Sequence, residues 1–504
     1  MPEREPLSGP DNAWRRMGTT DNLMTITGVL TFEQRVTYEE FCDRLEHRLL
    51  RFDRFTQRVG GRKRRLLRPY WVTVDDLDVH NHVYNLSLPE PADQAAFERF
   101  VGTLMSRPLD ERRPLWEMYL VDNVGPAEGN AVVVRIDHSV GDGFALLYVL
   151  LGLVDNPEDL EFPVDGISAP PAPRRDTDVD GPTHADGPTH ADGPTHANGP
   201  GSTDGAAHTE GTVHTDRAVD GEADPGAAPD RDAGRHRRES MSQSDTASGF
   251  LGTVGTATRA VRTGYHLLTM SDEPDTSLYG DIGQTKRAAW TRRIDLSLIK
   301  ELGSAHDATV NDVLLATTAG AVRRVLESRD EDTTDLELRW TIPVNIRPMA
   351  ERTESLGNYF GLAFVPVPVG TRAFDERVDA VQDRMDIRTV GIEAFLMYKL
   401  LSLGGHVPET VQQYVMSFFE RAATGIVTNV PGPAGTATFA GKEIGDMLFW
   451  VPQANDQGLG ISIISYNGSV RIGVAADANL LSQPRVMTDA FETELDTLFE
   501  RLDP

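Results

Sequence analysis

The sequence predicts a mixed α/β (α+β) protein that is built from two folded regions. The first observation is that both ends of the chain combine apolar segments of two-residue period, typical of strands, with segments of helical period. The second is that residues 168–240 contain no Leu, Ile, Met, Phe, Trp or Tyr, so this stretch cannot bury enough apolar surface to fold. We therefore expect a first region at 1–165, a disordered acidic linker at 166–249 and a second region at 250–504.

The predicted linker contains an internal repeat. The six-residue unit GPTHAD begins at Gly181 and again at Gly187, and a third copy from Gly193 ends in Asn198. Each copy brings in a histidine that a metal ion could bind, but glycine and proline between the histidines preorganise them poorly. The composition therefore favours a flexible, easily expanded linker over a metal-binding tract.

The first region contains predicted helices and strands in alternation. Apolar residues at helical spacing predict helices at 38–50 and 95–105. Residues 116–121 alternate like a strand, and the apolar run 131–136 is typical of a buried strand. A further apolar segment, 144–154, predicts a helix shortly after this second strand.

The second region contains four predicted strands. They lie at residues 336–344, 360–367, 462–466 and 470–475. The last two flank Asn467-Gly468, which is a strong indicator of a two-residue hairpin turn. Both regions are thus expected to be mixed in secondary structure.

The acidic net charge of the chain favours adaptation to high salt and disfavours one class of function. The formal net charge is -28, from 77 acidic and 49 basic residues, and few of the basic residues are lysines. An acidic, lysine-poor surface suits a cytoplasm at high salt, where screening offsets self-repulsion. We therefore expect a halophilic protein. The alternative, which the charge favours less, is a mildly acidic protein whose composition follows only from a GC-rich genome. Nucleic-acid binding is disfavoured because it requires a basic surface.

The single cysteine and the lengths of the apolar segments indicate the cellular compartment in which the protein is expected. Cys42 alone cannot form an intrachain disulfide or a cysteine-based zinc cluster, which fits a reducing cytoplasm. The first residues lack the basic start and apolar core of a secretory signal. The longest strongly apolar run, 144–154, is too short to span a bilayer, so any membrane contact is expected to be peripheral. Segments 258–270 and 395–401 are candidates for that contact, although either could equally be a core helix.

The heptapeptide DHSVGDG at residues 137–143 contains the leading catalytic candidate. His138 stands at the end of the buried strand, and the carboxylate of Asp142 follows four residues later in a glycine-containing loop. This arrangement can present a general base, and the alternative is a polar turn with an incidental histidine. His80 and His82, two residues apart, make only a weak metal site, so a surface or packing role is favoured for them.

The sequence lacks the motifs of two large enzyme classes. It has no strand-borne Gly-x-Ser-x-Gly elbow and no Walker-type loop, which disfavours a serine hydrolase and a nucleotide-triphosphate enzyme. Ser139 is a poor nucleophile candidate because adjacent strand residues point to opposite faces. The base would then act directly on a substrate proton. Acyl transfer from a thioester to an alcohol has this property, because one imidazole can deprotonate the hydroxyl and then protonate the leaving thiolate.

Eight short blocks occur in a defined order along the chain. They are SRPLD at 106–110, RPLWE at 113–117, DHSVGDG at 137–143, TVNDVLLA at 309–316, PVNIRP at 343–348, LGN at 356–358, TNVPGP at 428–433 and SYNG at 465–468. Singly, several of these blocks are explained as turns or helix caps. Together and in this order they resemble the bacterial-type wax ester synthase/diacylglycerol acyltransferases, a family of CoA-dependent acyltransferases with a His-His-x-x-x-Asp-Gly signature.

The resemblance implies two chloramphenicol-acetyltransferase-like domains with the active-site channel between them. It implies that His138 is the general base and that Asp142 and Gly143 have a supporting role in the loop. We expect Arg347 to pair with Asp142, because a carboxylate and a guanidinium can pair bidentately. The residues expected in the substrate channel are Pro114, Leu115 and Trp116 on the acyl side, with Asn311, Asp312 and Asn429 from the second region.

One position departs from the family pattern. Asp137 occupies the place of the family's first histidine. Strand alternation directs the Asp137 side chain away from His138, so we expect a supporting role for Asp137 and an intact base.

The resemblance further implies an acyl-CoA-dependent O-acyltransferase that forms neutral lipid esters, either triacylglycerol from diacylglycerol or wax ester from a long-chain alcohol. Acyl-CoA is then a co-substrate, with no metal or other cofactor. Such substrates imply a cytoplasmic enzyme in peripheral contact with a membrane or lipid droplet. Two alternatives stay open: a same-fold acyltransferase for a polyketide or peptide acceptor, and a catalytically silent acyl-CoA- or lipid-binding protein, which Asp137 motivates.

Overall fold

The computed structural model describes residues 4–61, 69–124, 129–162, 270–346, 356–385, 387–407, 422–453 and 457–502. The predicted linker 166–249, residues 258–269 of the first candidate membrane segment, and Arg347 lie outside these residues.

The described residues form sixteen strands and ten α-helices. The strands are β1 Arg4–Pro6, β2 Thr25–Phe32, β3 Gln57–Gly60, β4 Tyr70–Thr73, β5 Val83–Ser87, β6 Trp116–Asp122, β7 Ala131–Asp137, β8 Lys286–Trp290, β9 Ile294–Asp295, β10 Glu337–Asn345, β11 Phe360–Pro368, β12 Gly425–Pro431, β13 Thr438–Phe439, β14 Lys442–Trp450, β15 Leu459–Tyr466 and β16 Ser469–Asp477. The helices are α1 Gly9–Met17, α2 Tyr38–Arg44, α3 Asp53–Thr56, α4 Gln94–Met105, α5 Gly143–Leu153, α6 Leu296–Ala305, α7 Val310–Glu327, α8 Phe374–Arg384, α9 Ile387–Gly404 and α10 Arg485–Phe499.

The first large sheet has the strand order β13-β14-β2-β7-β6-β5. Val29 of β2 lies opposite Val133 of β7 on one side and Leu448 of β14 on the other, in antiparallel register. All three side chains are buried in one apolar cluster. Strands β13 and β14 come from the second region of the sequence, so this sheet is not completed by the first region alone.

The second large sheet has the order β11-β10-β12-β15-β16-β8, and β9 pairs with β16. One of its faces packs against helices, with Trp340, Ile461 and Phe491 fully buried in the main core of the second region. Strands β15 and β16 form the predicted hairpin, and the turn residues Asn467 and Gly468 have φ values of 45° and 76°. Two consecutive positive φ values are those of the tight turn that an Asn-Gly pair favours. A third, three-stranded sheet has the order β1-β4-β3.

Local capping explains where the predicted helices begin. The side chain of Asp142 accepts a hydrogen bond from the backbone N–H of Ala145, which starts α5 one residue before the predicted position. The helix predicted over 38–50 begins with a capping box but is α-helical only as far as Arg44, and a π-helical turn, Leu45–Leu49, follows. That single-helix prediction was therefore wrong over its second half, where the N–H of Leu50 donates to the carbonyl of Leu45.

The two regions are packed against each other through α1 and α9. The Asn12 side-chain amide donates to the carbonyl oxygen of Gly405, 2.7 Å away, and the Arg16 guanidinium donates to that of Val407, 2.9 Å away. The described residues on the two sides of segment 173–240 belong to one compact unit. In the described part of the chain, no helix combines the length and apolar character needed to cross a bilayer.

Candidate active site

His138 directly follows strand β7 and is buried among residues of both regions. Its backbone N–H donates to the carbonyl oxygen of Met24, 2.8 Å away. The indole ring of Trp14 stacks on the imidazole, with centroids 5.0 Å apart and an angle of 17° between the planes, and the centroid of the Phe360 ring is 5.4 Å away. Trp14 belongs to α1 and Phe360 begins β11, so aromatic side chains from both regions pack against the ring.

A hydrogen-bonded chain of polar groups fixes one edge of the imidazole. The Nδ1 atom of His138 lies 2.8 Å from Oδ1 of Asn358. The side-chain amide of Asn358 donates to Oδ1 of Asp11 and to the carbonyl oxygen of His138, each at 2.8 Å. The backbone N–H of Asn358 also donates to Oδ1 of Asp11, at 3.1 Å. In the part of the chain that the structure describes, no hydrogen bond is made by the other ring nitrogen, Nε2.

Burial controls the charge of these groups. Desolvation lowers the pKa of His138, against smaller opposing effects of its own backbone, Asp142 and Asn358. The imidazole is therefore neutral near pH 7, as a general base must be before it accepts a proton. Burial also raises the pKa of Asp11, while the hydrogen bonds from Ser8 and Asn358 act in the opposite direction.

Asp142 joins the motif loop to the second region. One carboxylate oxygen caps α5 by accepting from Ala145 N–H at 2.8 Å, and the other accepts from the backbone N–H of Tyr359 at 2.9 Å. The backbone N–H of Asp142 donates to the carbonyl oxygen of Gly357, 3.3 Å away. Both carboxylate oxygens thus accept from backbone amides. The predicted pairing with Arg347 falls on a residue outside the described part of the chain.

Asp137 and Gly143 occupy different surroundings. Oδ1 of Asp137 accepts hydrogen bonds from the backbone N–H and the hydroxyl of Ser139, and the side chain makes no hydrogen bond to the imidazole of His138 among the described residues. Ser139 is itself fully buried in this contact. A Cβ atom added at Gly143 would meet no described atom within 4 Å, so open space adjoins the start of α5.

Pro114, Leu115 and Trp116 are buried at the start of β6. Leu115 and Trp116 belong to the main core of the first region, and the Trp116 indole N–H donates to the carbonyl oxygen of Phe55 at 2.9 Å. The imidazole of His82 stacks on Trp116 with centroids 4.3 Å apart, which is a packing role. In the described part of the chain, no cluster of His, Cys, Asp and Glu could hold a metal ion.

The candidate channel residues of the second region form a separate polar group. The side-chain amide of Asn429 on β12 donates to Oδ1 of Asn311 on α7, 3.3 Å away. The Asp312 carboxylate accepts from the backbone N–H and the hydroxyl of Thr309, and it completes the capping box of α7. Among the described residues, no hydrogen bond links these side chains to His138.

Sequence reasoning missed the groups that enclose His138. Asn358 lies in the LGN block, but the sequence assigned no role to its side chain. Asp11 and Trp14 belong to a short helix whose first-turn acid and apolar residues are ordinary features of any helix start. Their proximity to His138 is a property of the tertiary structure.

Two models of one protein family match the chain. The family model for the wax ester synthase/diacylglycerol acyltransferase catalytic domain matches residues 7–314, and the model for the C-terminal domain of the same family matches residues 356–499.

Two relatives from Mycobacterium tuberculosis span most of the chain. A protein named as a probable diacylglycerol O-acyltransferase is 22% identical over 448 residues, which cover 88% of this chain and 84% of the relative. Another protein that bears the diacylglycerol O-acyltransferase name is 30% identical over 415 residues, covering 80% of this chain and 78% of the relative.

Solved structures share the fold. The wax ester synthase/diacylglycerol acyltransferase from Marinobacter aquaeolei superposes with a TM-score of 0.61 at 19% identity, covering 99% of this chain and all of that one. The first condensation domain of the calcium-dependent antibiotic synthetase superposes with a TM-score of 0.56 at 13% identity, covering 100% of this chain and 97% of that one.

These structural matches give the described sheets the fold of two chloramphenicol-acetyltransferase-like domains. Within that class, the two family models together span most of the chain on both sides of the linker. The chain belongs to the wax ester synthase/diacylglycerol acyltransferase family.

Proposed function

We propose that the protein is an acyl-CoA-dependent O-acyltransferase that forms neutral lipid esters, with triacylglycerol or wax ester as the product. The observation that carries this proposal is His138, a buried, neutral imidazole that both regions enclose and whose Nδ1 edge is held by Asn358. The family supplies the reaction class, and the site supplies a group that can perform it.

The proposed reaction needs one base and no enzyme nucleophile. His138 accepts the proton of the acceptor hydroxyl while the hydroxyl oxygen attacks the thioester carbonyl carbon. The C–S bond of the tetrahedral intermediate then breaks, and the imidazolium returns the proton to the CoA thiolate. The lowered pKa of His138 favours this return, because the buried ring holds a positive charge poorly.

The apolar surroundings of His138 suit long hydrocarbon chains. Trp14 and Phe360 belong to a buried cluster that also contains Leu362, Phe364 and Met397. Diacylglycerol and a long-chain alcohol present a single hydroxyl on a large apolar body, so an imidazole in an apolar enclosure matches either acceptor.

We propose supporting roles for the remaining candidate residues. Asp137, Asp142 and Gly143 hold the motif loop, and Arg347 is the proposed additional partner of Asp142. In the substrate channel, Pro114, Leu115 and Trp116 serve the acyl side, and Asn311, Asp312 and Asn429 serve the second region. We also propose that residues 166–249 act as a linker between domains at 1–165 and 250–504, with β13 and β14 of the second region completing the sheet of the first.

The outer face of α9 is the proposed lipid-contacting surface. Phe395 and Leu403, two turns apart, are 47% and 67% exposed, while Met397 and Leu401 between them are buried in the core. The Lys399 ammonium lies 5.2 Å from the Phe395 ring centroid. Exposed apolar side chains beside a lysine suit the interface of an anionic bilayer or a lipid droplet. This contact would be peripheral, for a cytoplasmic protein that is adapted to high salt.

The test uses the full-length protein in concentrated salt with acyl-CoA and either diacylglycerol or a long-chain alcohol. Ester formation and release of free CoA are measured in parallel. We expect ester formation and CoA release to be lost in His138→Gln and kept in the control variant His306→Gln. His306 lies at the end of α6 and packs on the ring of Phe374. CoA release that persists in His138→Gln would refute the mechanism. Acyl-CoA binding without turnover would favour a silent binding protein, and turnover only with polyketide or peptide acceptors would favour the other alternative.

A further inference from the structure

We propose that Asp11 and Asn358 are positioning residues that set the tautomer of His138, so that Nδ1 carries the proton and Nε2 presents its lone pair to the substrate hydroxyl. This inference rests on the proposed function, because it assigns the atom of His138 that acts as the base. Neither residue was predicted to have a role from the sequence.

The orientation of the Asn358 side chain is the first step. An asparagine amide has a donor end and an acceptor end, and its surroundings decide which way each end points. On one side of Asn358 are two acceptors, Oδ1 of Asp11 and the carbonyl oxygen of His138, each 2.8 Å from Nδ2. The reversed amide would place its oxygen against both of these oxygens. The donor end must therefore face Asp11 and the His138 carbonyl.

The tautomer of His138 follows from that orientation. With Nδ2 occupied in this way, Oδ1 of Asn358 faces Nδ1 of His138 at 2.8 Å. An amide oxygen can only accept, so Nδ1 must donate and therefore carries the proton of the neutral ring. The lone pair is then on Nε2, and a general base needs that lone pair on the atom that meets the substrate.

The acceptor role of Asp11 is secured independently of His138. The carboxylate lies in the first turn of α1 and is buried, with the Ser8 hydroxyl and the backbone N–H of Asn358 as further hydrogen-bond partners. Trp14, one turn later on the same helix, stacks on the imidazole. Helix α1 thus sets both the hydrogen-bonding edge and one face of the ring.

The hydrogen-bonded group of Asp11, Asn358 and His138 forms only where the two regions pack against each other. Asp11 and His138 belong to the first region and Asn358 to the second, with 347 and 220 residues separating Asn358 from them. Neighbouring backbone bonds hold Asn358 in place, because Gly357 accepts from Asp142 and Tyr359 donates to Asp142. A correctly protonated base is therefore expected only when both regions are docked.

Three variants separate positioning from stability. Asn358→Leu removes the side-chain acceptor for Nδ1 and is expected to lower kcat by about 100-fold or more with little change in KM, since an incorrect tautomer disables a general base. Asp11→Leu removes the group that orients the amide. Asp11→Asn still offers an acceptor oxygen and should keep at least about tenfold more kcat than Asp11→Leu.

A double variant provides the rescue. Asn358→Asp alone keeps an acceptor for Nδ1 but places two carboxylates against each other, whereas adding Asp11→Asn restores a donor between residues 11 and 358 and relieves that repulsion. We expect the double variant to exceed Asn358→Asp in kcat by about tenfold or more. A role confined to packing predicts no such recovery, so additive losses in the double variant would overturn the proposal.

The tautomer itself can be read by nitrogen NMR of the full-length protein labelled at histidine, with His138→Gln assigning the signal. We expect a protonated Nδ1 in the native chain and a mixture of tautomers in Asn358→Leu and Asp11→Leu. A protonated Nε2 in the native chain would overturn the inference, as would native kcat in Asn358→Leu. Because this readout needs no turnover, a correct tautomer in a chain that transfers no acyl group would refute only the proposed function.

Discussion

The carboxylate of Asp142 links helix α5 to the second region, and Asp142→Ala removes its hydrogen bonds from Ala145 and Tyr359 at once. Loss of an N-cap side chain costs about 1 kcal/mol of stability. The backbone N–H of Tyr359 donates to this carboxylate at 2.9 Å, and loss of that acceptor costs about 1–3 kcal/mol more if no water replaces it. We therefore expect Asp142→Ala to lower the free energy of unfolding by about 2–4 kcal/mol.

Asp93 provides a matched control for this variant. Its carboxylate caps α4 by accepting from Ala96 N–H at 2.7 Å, but it is exposed and is given no partner in the second region among the described residues. Asp93→Ala should therefore cost only the cap, about 1 kcal/mol. Urea unfolding of both variants under identical salt measures the difference.

The activity of the two variants adds a second readout. The loop that Asp142 holds contains Asn358, so Asp142→Ala should also reduce kcat, whereas Asp93→Ala should not. Equal losses of stability in the two variants would mean that the Tyr359 contact contributes nothing to the docking of the regions. A stable Asp142→Ala variant with native kcat would refute the structural role of this residue altogether.

Three further predictions follow from the same structure. Because burial lowers the pKa of His138, the acidic limb of kcat/KM against pH should have its midpoint below 6.5, and a midpoint above that value would contradict the desolvated site. Burial raises the pKa of Glu393 to about 7 from 4.5, so its carboxylate destabilises the fold progressively as pH rises through that window. Glu393→Gln, which can still accept from Phe364 N–H, should gain up to about 3 kcal/mol in urea unfolding above pH 7 and nothing below pH 4.5; a loss above pH 7 would refute this. Gly468→Ala should lower the thermal midpoint, because the φ of 76° at this position costs a residue with a Cβ atom about 1–2 kcal/mol of stability. Gly143→Ala should fold normally and lose activity if the open space beside it receives substrate. Equal thermal midpoints for the two variants would argue against strain at Gly468.

Much of the secondary structure was predictable because its causes are local. The strand 131–136, the helix after it and the hairpin at Asn467-Gly468 all appear near their predicted bounds. Each depends on residues within a few positions of itself, such as the Asp142 cap or the two positive φ values of the turn. Where a local pattern allowed two outcomes, as between α-helix and π-helical turn at 45–49, the sequence did not distinguish them.

The order of strands could not be predicted. Strand β14 is reached late in the chain, yet it pairs with β2 of the first region rather than with the strands that follow it in the sequence. Nothing in the pattern of Lys442–Trp450 specifies that partner, because alternation describes which face a residue takes and not which strand lies beside it. The pairing buries Leu448 of β14 with Val29 of β2 and Val133 of β7 in a shared cluster.

For the candidate site, the sequence by itself determined the identity of His138, its place after a buried strand and the cap that Asp142 supplies to the next helix. These depend on neighbouring residues and on the order of the family blocks. Only the tertiary structure decided what surrounds the imidazole. Asp11, Trp14 and Asn358 come together because α1 and the segment before β11 pack against the same strand end, across hundreds of residues. Contacts of that range leave no periodic trace in a single sequence, since each partner contributes one side chain whose local pattern is that of an ordinary helix or turn.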